Sequence, residues 1–282
     1  MINEEDLKIL RCPYCGGELS LFKDSLRCEY CNRVFKMKGS LISFVESEAW
    51  RDYGSEHDLY RKSEPLPPND FWIDFVRKVR EFKKTDIVLD AGCGDMVWTA
   101  NLANQVKQIY GIDLGTYMLN KASKRKLNNA ILIEGSVENL PFKDETIDLI
   151  FNIYVFEHIP YNRSLKALNE FYRVLKPKGL LLIVTENPVG EYVYKRFLSK
   201  VIRRNFGTPD NTHINMLFPY QLRMLLRKIN FDIISEWVPI IGENKFPLNI
   251  ILKNRFLRRQ MEIISNISYG FLAVKRGGSL NG

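Results

Sequence analysis

From residue 86 onward the apolar positions fall into short runs that alternate with longer amphipathic stretches. Residues 87–90, 108–113, 130–134, 146–151 and 180–184 each have strand length and strand composition. The segments 96–105, 115–126 and 164–175 between them suit helices. This alternation predicts an α/β class, with a parallel sheet carrying helices on both faces. Upstream, Asn69 is placed to cap a helix running to about Lys84, with Phe71, Trp72, Phe75, Val76, Val79 and Phe82 on one face. Downstream, residues 188–218 and 239–266 are basic, aromatic and apolar insertions. Pro219 opens a further helix to about Lys228, and 231–237 and 269–275 read as two last strands.

The first 45 residues follow a different logic. Cys12-Pro-Tyr-Cys15 and Cys28-Glu-Tyr-Cys31 are two knuckles with 12 residues between them. Two such knuckles present four thiolates in a tetrahedron, which suits Zn²⁺ and leaves no open position for catalysis. Residues 18–22 and 25–27 suit short hairpin strands. So small a unit would draw much of its stability from a structural metal. The expected organisation is a zinc ribbon at 1–45, a linker and helix at 46–84, and the main domain at 85–282 with lid-like insertions at 188–218 and 239–266.

Composition narrows the classes. The chain has 282 residues, 45% hydrophobic and 26% charged, as a folded globular protein would. No apolar run reaches the ~18–20 residues that a membrane span needs. The acidic start, Asn3-Glu-Glu-Asp6, lacks the features of a secretory signal, so a cytoplasmic location is expected. The net charge of +8 permits nucleic acid, an anionic membrane surface or acidic substrates as partners.

Candidate chemistry begins at Val88-Leu-Asp-Ala-Gly-Cys-Gly-Asp95. Gly92 and Gly94 allow a tight turn at the carboxyl end of the first strand, where open parallel sheets bind ligands. Asp113 ends the next strand, 21 positions after Gly92, where a carboxylate can hold ribose hydroxyls. A dinucleotide site would want a third glycine at Val97 and no carboxylates beside a diphosphate. Asp90 and Asp95 flank the turn instead. They suit a phosphate-free ribose ligand with a cationic end, such as S-adenosylmethionine.

The ordered set Asp90-Ala-Gly-Cys-Gly94, Ile112-Asp113, Glu134-Gly-Ser-Val137, Ile147-Asp-Leu-Ile150, Val155-Phe-Glu-His158 and Arg173-Val-Leu-Lys-Pro-Lys-Gly179 resembles the class I S-adenosylmethionine-dependent methyltransferases over roughly residues 70–240. The resemblance implies a Rossmann-like sheet. It implies that Gly92 and Gly94 lie against the methionine part, with Asp90 organising that turn and the ammonium. Asp113 would hold the ribose and Leu114 would pack on the adenine. Ser136 and Val137 would border the adenine edge, and Asn152 would lie near the methionine backbone. Met96 stands where the family often has a small residue, and Ser136 where it usually has Asp. Residues 10–44 resemble the small zinc-ribbon proteins that activate certain methyltransferases.

A sulfonium methyl needs an aligned nucleophile more than it needs a catalyst group. His158 and His213 are the candidates for touching the acceptor or serving as its base. His57 is read as solvated and Cys93 as packed, while Tyr154 is read as an aromatic neighbour of the site or a packing residue. The expected activity is methyl transfer to a small-molecule, lipid-like or glycan-type acceptor. An RNA methyltransferase and a non-catalytic binding protein of the same fold are the alternatives.

Overall fold

A computed structural model of the chain describes residues 2–45, 68–188, 212–237 and 268–277. The insertions expected at 188–218 and 239–266, and the linker with His57, lie largely or wholly outside the described residues. Four short strands come first: β1 (Leu19–Phe22), β2 (Ser25–Cys28), β3 (Val34–Lys38) and β4 (Leu41–Ser43). The main strands are β5 (Ile87–Ala91), β6 (Gln108–Asp113), β7 (Ala130–Glu134), β8 (Ile147–Ile153) and β9 (Leu175–Glu186), followed by β10 (Phe231–Trp237) and β11 (Ser268–Lys275). All of them join one sheet in the order β1-β2-β3-β4-β7-β6-β5-β8-β9-β11-β10.

The run from β4 to β9 is parallel, and β11 inserts antiparallel between β9 and β10. From β5 the chain builds outward through β6 and β7, then returns to place β8 on the other side of β5. That reversal is the switch point at which open α/β sheets bind ligands. The N-terminal strands do not stand apart: β4 pairs in parallel with β7, Leu41 beside Leu132 and Ser43 beside Glu134. Edge strand β7 is thereby covered by the chain's own N-terminus.

Successive strand residues point to opposite faces. Leu89, Ala91 and Ile150 belong to one core layer; Val88, Leu149 and Phe151 belong to the other. The first layer takes in Leu10, Leu26, Phe35, Ile42 and Phe44 of the N-terminal unit together with Tyr110, Phe142 and Phe171. That unit therefore shares a core with the main sheet.

Two expected helices are shorter than their patterns suggest. α2 (Phe71–Arg77), which follows α1 (Glu4–Ile9), stops well before Lys84. Asp86 gathers the next segment, bonding Arg80 and accepting the Lys83 N–H at 2.8 Å, and Val79 is left exposed. Asn69 does bond the Phe71 N–H, at 2.9 Å. Over 96–105 only a 3₁₀ turn forms, at Ala100–Leu102. There the backbone bonds run three residues apart, from Leu102 to Thr99, Ala103 to Ala100 and Gln105 to Leu102, and the Asn129 amide donates to the carbonyls of Ala103 and Val106 that follow. α3 (Thr116–Ser123), α4 (Tyr161–Val174) and α5 (Pro219–Lys228) match their patterns closely.

Candidate active site

The turn after β5 is shaped by backbone geometry. Gly92 has φ +85° and Gly94 φ +49°, the left-handed region where a Cβ is strained. A Cβ on Gly92 would also lie 2.2 Å from a Val155 methyl. The Gly92 and Cys93 N–H groups both donate to the Ile112 carbonyl. Met96 closes the turn, fully buried and at φ +61°. A long side chain thus fills the position where a small one was expected, and it does so by packing downward into the core.

Asp113 is the organiser of the crevice. One carboxylate oxygen accepts the Gly94 N–H at 2.7 Å and the other accepts the Gly115 N–H at 2.8 Å. Each oxygen keeps further lone pairs for a ligand hydroxyl. Asp90 is buried, and its carboxylate accepts the Thr99 hydroxyl at 2.5 Å. Burial, with Asp113 and Asp95 nearby, pushes its carboxyl up to about 7 against the opposing pull of Thr99. Asp95 does not face a ligand as the sequence suggested. It is buried against Arg125, which bonds both its carboxylate, at 3.0 Å, and its carbonyl.

Asn152, next to last in β8, is fully buried, donating its Nδ2 to the Ala91 carbonyl at 2.8 Å, while its Oδ1 has no hydrogen-bond partner among the described residues. That orphaned acceptor beside the glycine turn suits an ammonium donor. Leu114 is half-exposed, Val137 is buried, and the Ser136 hydroxyl accepts the Glu138 N–H at 3.2 Å. These residues all lie around the carboxyl ends of β5, β6, β7 and β8. The donor set therefore fits a ribose-bearing cation better than a diphosphate.

Residues 89–183 match the family model described as a methyltransferase domain. The chain carries a methyltransferase domain. It is 42% identical over 143 residues to an uncharacterized protein of Methanocaldococcus jannaschii, covering 49% of this chain and 58% of that one. It is 32% identical over 150 residues to the demethylmenaquinone methyltransferase of a Geobacillus species, covering 48% and 63%. The chain thus spans about three fifths of the length of these relatives. Two solved structures share the fold at a TM-score of 0.54: the [4+2]-cyclase SpnF, 17% identical over 82% of this chain and 96% of that one, and one chain of a complex between the Haloferax volcanii Trm112 methyltransferase activator and a protein assigned as a methyltransferase, 14% identical over 82% and 99%. The sheet is that of the class I methyltransferases, with a Cys-bearing unit added at its edge.

Beside the methyltransferase domain's crevice, His158 and His213 come together although 55 positions separate them: their ring centroids are 4.9 Å apart. The Glu157 carbonyl holds the second segment in place by accepting the Ile214 and Asn215 N–H groups. Tyr154, at φ +57°, contacts Ser268, and burial pushes its phenol up. It continues an aromatic run through Trp98 and Trp72 to Trp237. Cys93 is buried, and burial pushes its thiol well above the usual range. Thr99, Arg125 and Glu186 were not legible beforehand, since nothing in their spacing announces a partner across the fold.

In the N-terminal unit Cys12, Cys15, Cys28 and Cys31 form one cluster. Cys12 and Cys31 Sγ are 3.8 Å apart, and Cys15 and Cys28 Sγ 3.4 Å. A tetrahedral site with metal–sulfur bonds of about 2.3 Å has sulfur–sulfur edges of about 3.8 Å. The Arg33 backbone N–H helps to hold the Cys31 thiol down to about 6.

Proposed function

We propose that this protein transfers a methyl group from S-adenosylmethionine to a small-molecule or lipid-like acceptor in the cytoplasm. The observation that carries the reading is Asp113, bonded to Gly94 and Gly115 at the reversal of strand order. Such a carboxylate is held still for two ribose hydroxyls. Gly92 and Gly94 let the backbone approach the methionine part. Asn152 Oδ1 accepts from its ammonium, and Asp90 supplies a compensating negative charge when ionised. Leu114 and Val137 pack on the adenine, with Ser136 at its edge. The cofactor, when bound, supplies an electrophilic methyl.

The chain's own residues align the acceptor and exclude water. Trp98 and Tyr154, with ring centroids 6.2 Å apart and planes tilted by 50°, offer an aromatic surface, and His158 and His213 are assigned to the acceptor side. A quinol-like acceptor accords with the demethylmenaquinone methyltransferase among the relatives. We also assign a structural Zn²⁺ to the four cysteines, which fastens the N-terminal unit to the sheet.

The test is to incubate the zinc-loaded protein with methyl-labelled cofactor and a cell extract separated into lipid, water-soluble and RNA fractions. The reading predicts label in the lipid or small-molecule fraction. Label confined to RNA, or no transfer to any fraction, would contradict it.

A further inference from the structure

We propose that Glu157, His158 and His213, with Glu186 beside them, form a second metal site, for a first-row divalent cation. One ligand atom from each of the first three lies within 4.8 Å of the others. Glu157 is fully buried and the side chains of His213 and Glu186 are nearly so. Glu186 Oε2 is 4.0 Å from His213 Nδ1, so a second carboxylate adjoins the group. Two imidazoles and a carboxylate form a mixed nitrogen and oxygen set that suits Mn²⁺, Fe²⁺ or Zn²⁺ rather than a soft metal.

The surrounding contacts are those that orient metal ligands. The Thr185 hydroxyl donates to Glu157 Oε2 at 2.9 Å. His158 Nδ1 lies 3.1 Å from the Thr212 carbonyl. The Thr212 hydroxyl lies 3.1 Å from the same nitrogen, so Thr212 fixes the ring orientation, and the tautomer protonated at Nδ1 is the one that presents Nε2 to a metal. The backbone bonds from Ile214 and Asn215 to the Glu157 carbonyl fix the loop that delivers His213. The site stands at the carboxyl ends of β8 and β9, two residues beyond Val155, which touches Gly92.

The place of this site in catalysis rests on the methyl-transfer reading, while ion binding itself does not. Three protein ligands leave coordination positions for an acceptor hydroxyl or enol. A bound cation lowers the pKa of a coordinated hydroxyl, and the proton leaves to solvent. The resulting oxygen forms the O–CH₃ bond as the S–CH₃ electron pair returns to sulfur. The acceptor class implied is therefore an oxygen nucleophile able to bind a metal.

The experiment is electron paramagnetic resonance of free Mn²⁺ titrated with protein that carries a single equivalent of Zn²⁺, enough for the four cysteines alone. The expected result is loss of the free-ion signal at one Mn²⁺ per chain, with binding weakened roughly tenfold or more in His213→Asn and Glu157→Gln. Should one variant fail to fold, Glu186→Gln provides a milder one with the same direction. No depletion by the wild-type protein, or depletion unchanged in the variants, overturns the proposal. Binding of S-adenosylhomocysteine, measured separately, keeps the two readings apart.

Discussion

Tyr110, in the second strand of the methyltransferase sheet, donates its hydroxyl to Asp6, in the helix that precedes the cysteine knuckles, at 2.5 Å. Both side chains are buried, and burial together with Asp6 pushes the phenol well above its usual range. Removing the donor leaves a buried carboxylate short of a partner, although Asp6 still accepts the Asn3 N–H. Tyr110→Phe is expected to lower stability by about 1–3 kcal/mol in urea unfolding. A change near zero would mean that the N-terminal unit is not fastened there.

The same continuity predicts how metal removal behaves. Phe35, Ile42 and Phe44 belong to a core layer shared with the sheet, and β4 covers β7. Stripping zinc should lower the melting temperature of the whole protein, on the order of 10 °C, in one shifted transition. Calorimetry that shows the main transition unmoved would separate the two units.

Gly92 combines φ +85° with the Val155 contact. Gly92→Ala should destabilise by about 2–3 kcal/mol in chemical denaturation. Adding Val155→Ala should recover part of that loss, because it relieves the clash and leaves the backbone strain. Full recovery would show that strain is absent.

Asp90 gives a pH signature. Its folded pKa is raised to about 7, so the folded state holds its proton where the unfolded state has lost it. The stability this group contributes is full below the unfolded value of about 4 and is lost as pH rises through about 7. A cationic ligand prefers the ionised form, so its binding moves the opposite way. S-adenosylmethionine should bind up to about tenfold more tightly at about pH 8 than at about pH 6. Asp90→Asn should flatten both profiles, measured by titration across that range. An unchanged slope in the variant would assign it elsewhere.

Much of this architecture was legible because burial on both faces writes continuous apolar runs. Leu89, Ile131 and Ile150 announce strands in that way, and Pro219 and the two knuckles mark local geometry. What escaped was decided by contacts across the fold. Asp95 reads as a free acid until Arg125, 30 positions on, is seen against it. The helix expected at 96–105 gives way to bonds three residues apart, and Met96 adopts a left-handed φ with its side chain buried in the core. His158 and His213 stand apart in the sequence, and their meeting depends on backbone bonds to Glu157 that no local pattern encodes. The docking of β4 on β7 was likewise invisible, since a short strand carries no record of its partner.

The central claim is that Asp113 and the glycine turn hold S-adenosylmethionine. Calorimetric titration of the zinc-loaded protein with S-adenosylhomocysteine tests it most directly, beside Asp113→Ala checked for folding. The account predicts micromolar binding in the wild type that is lost in the folded variant. Absence of binding in the wild type, or equal binding in both, would contradict it.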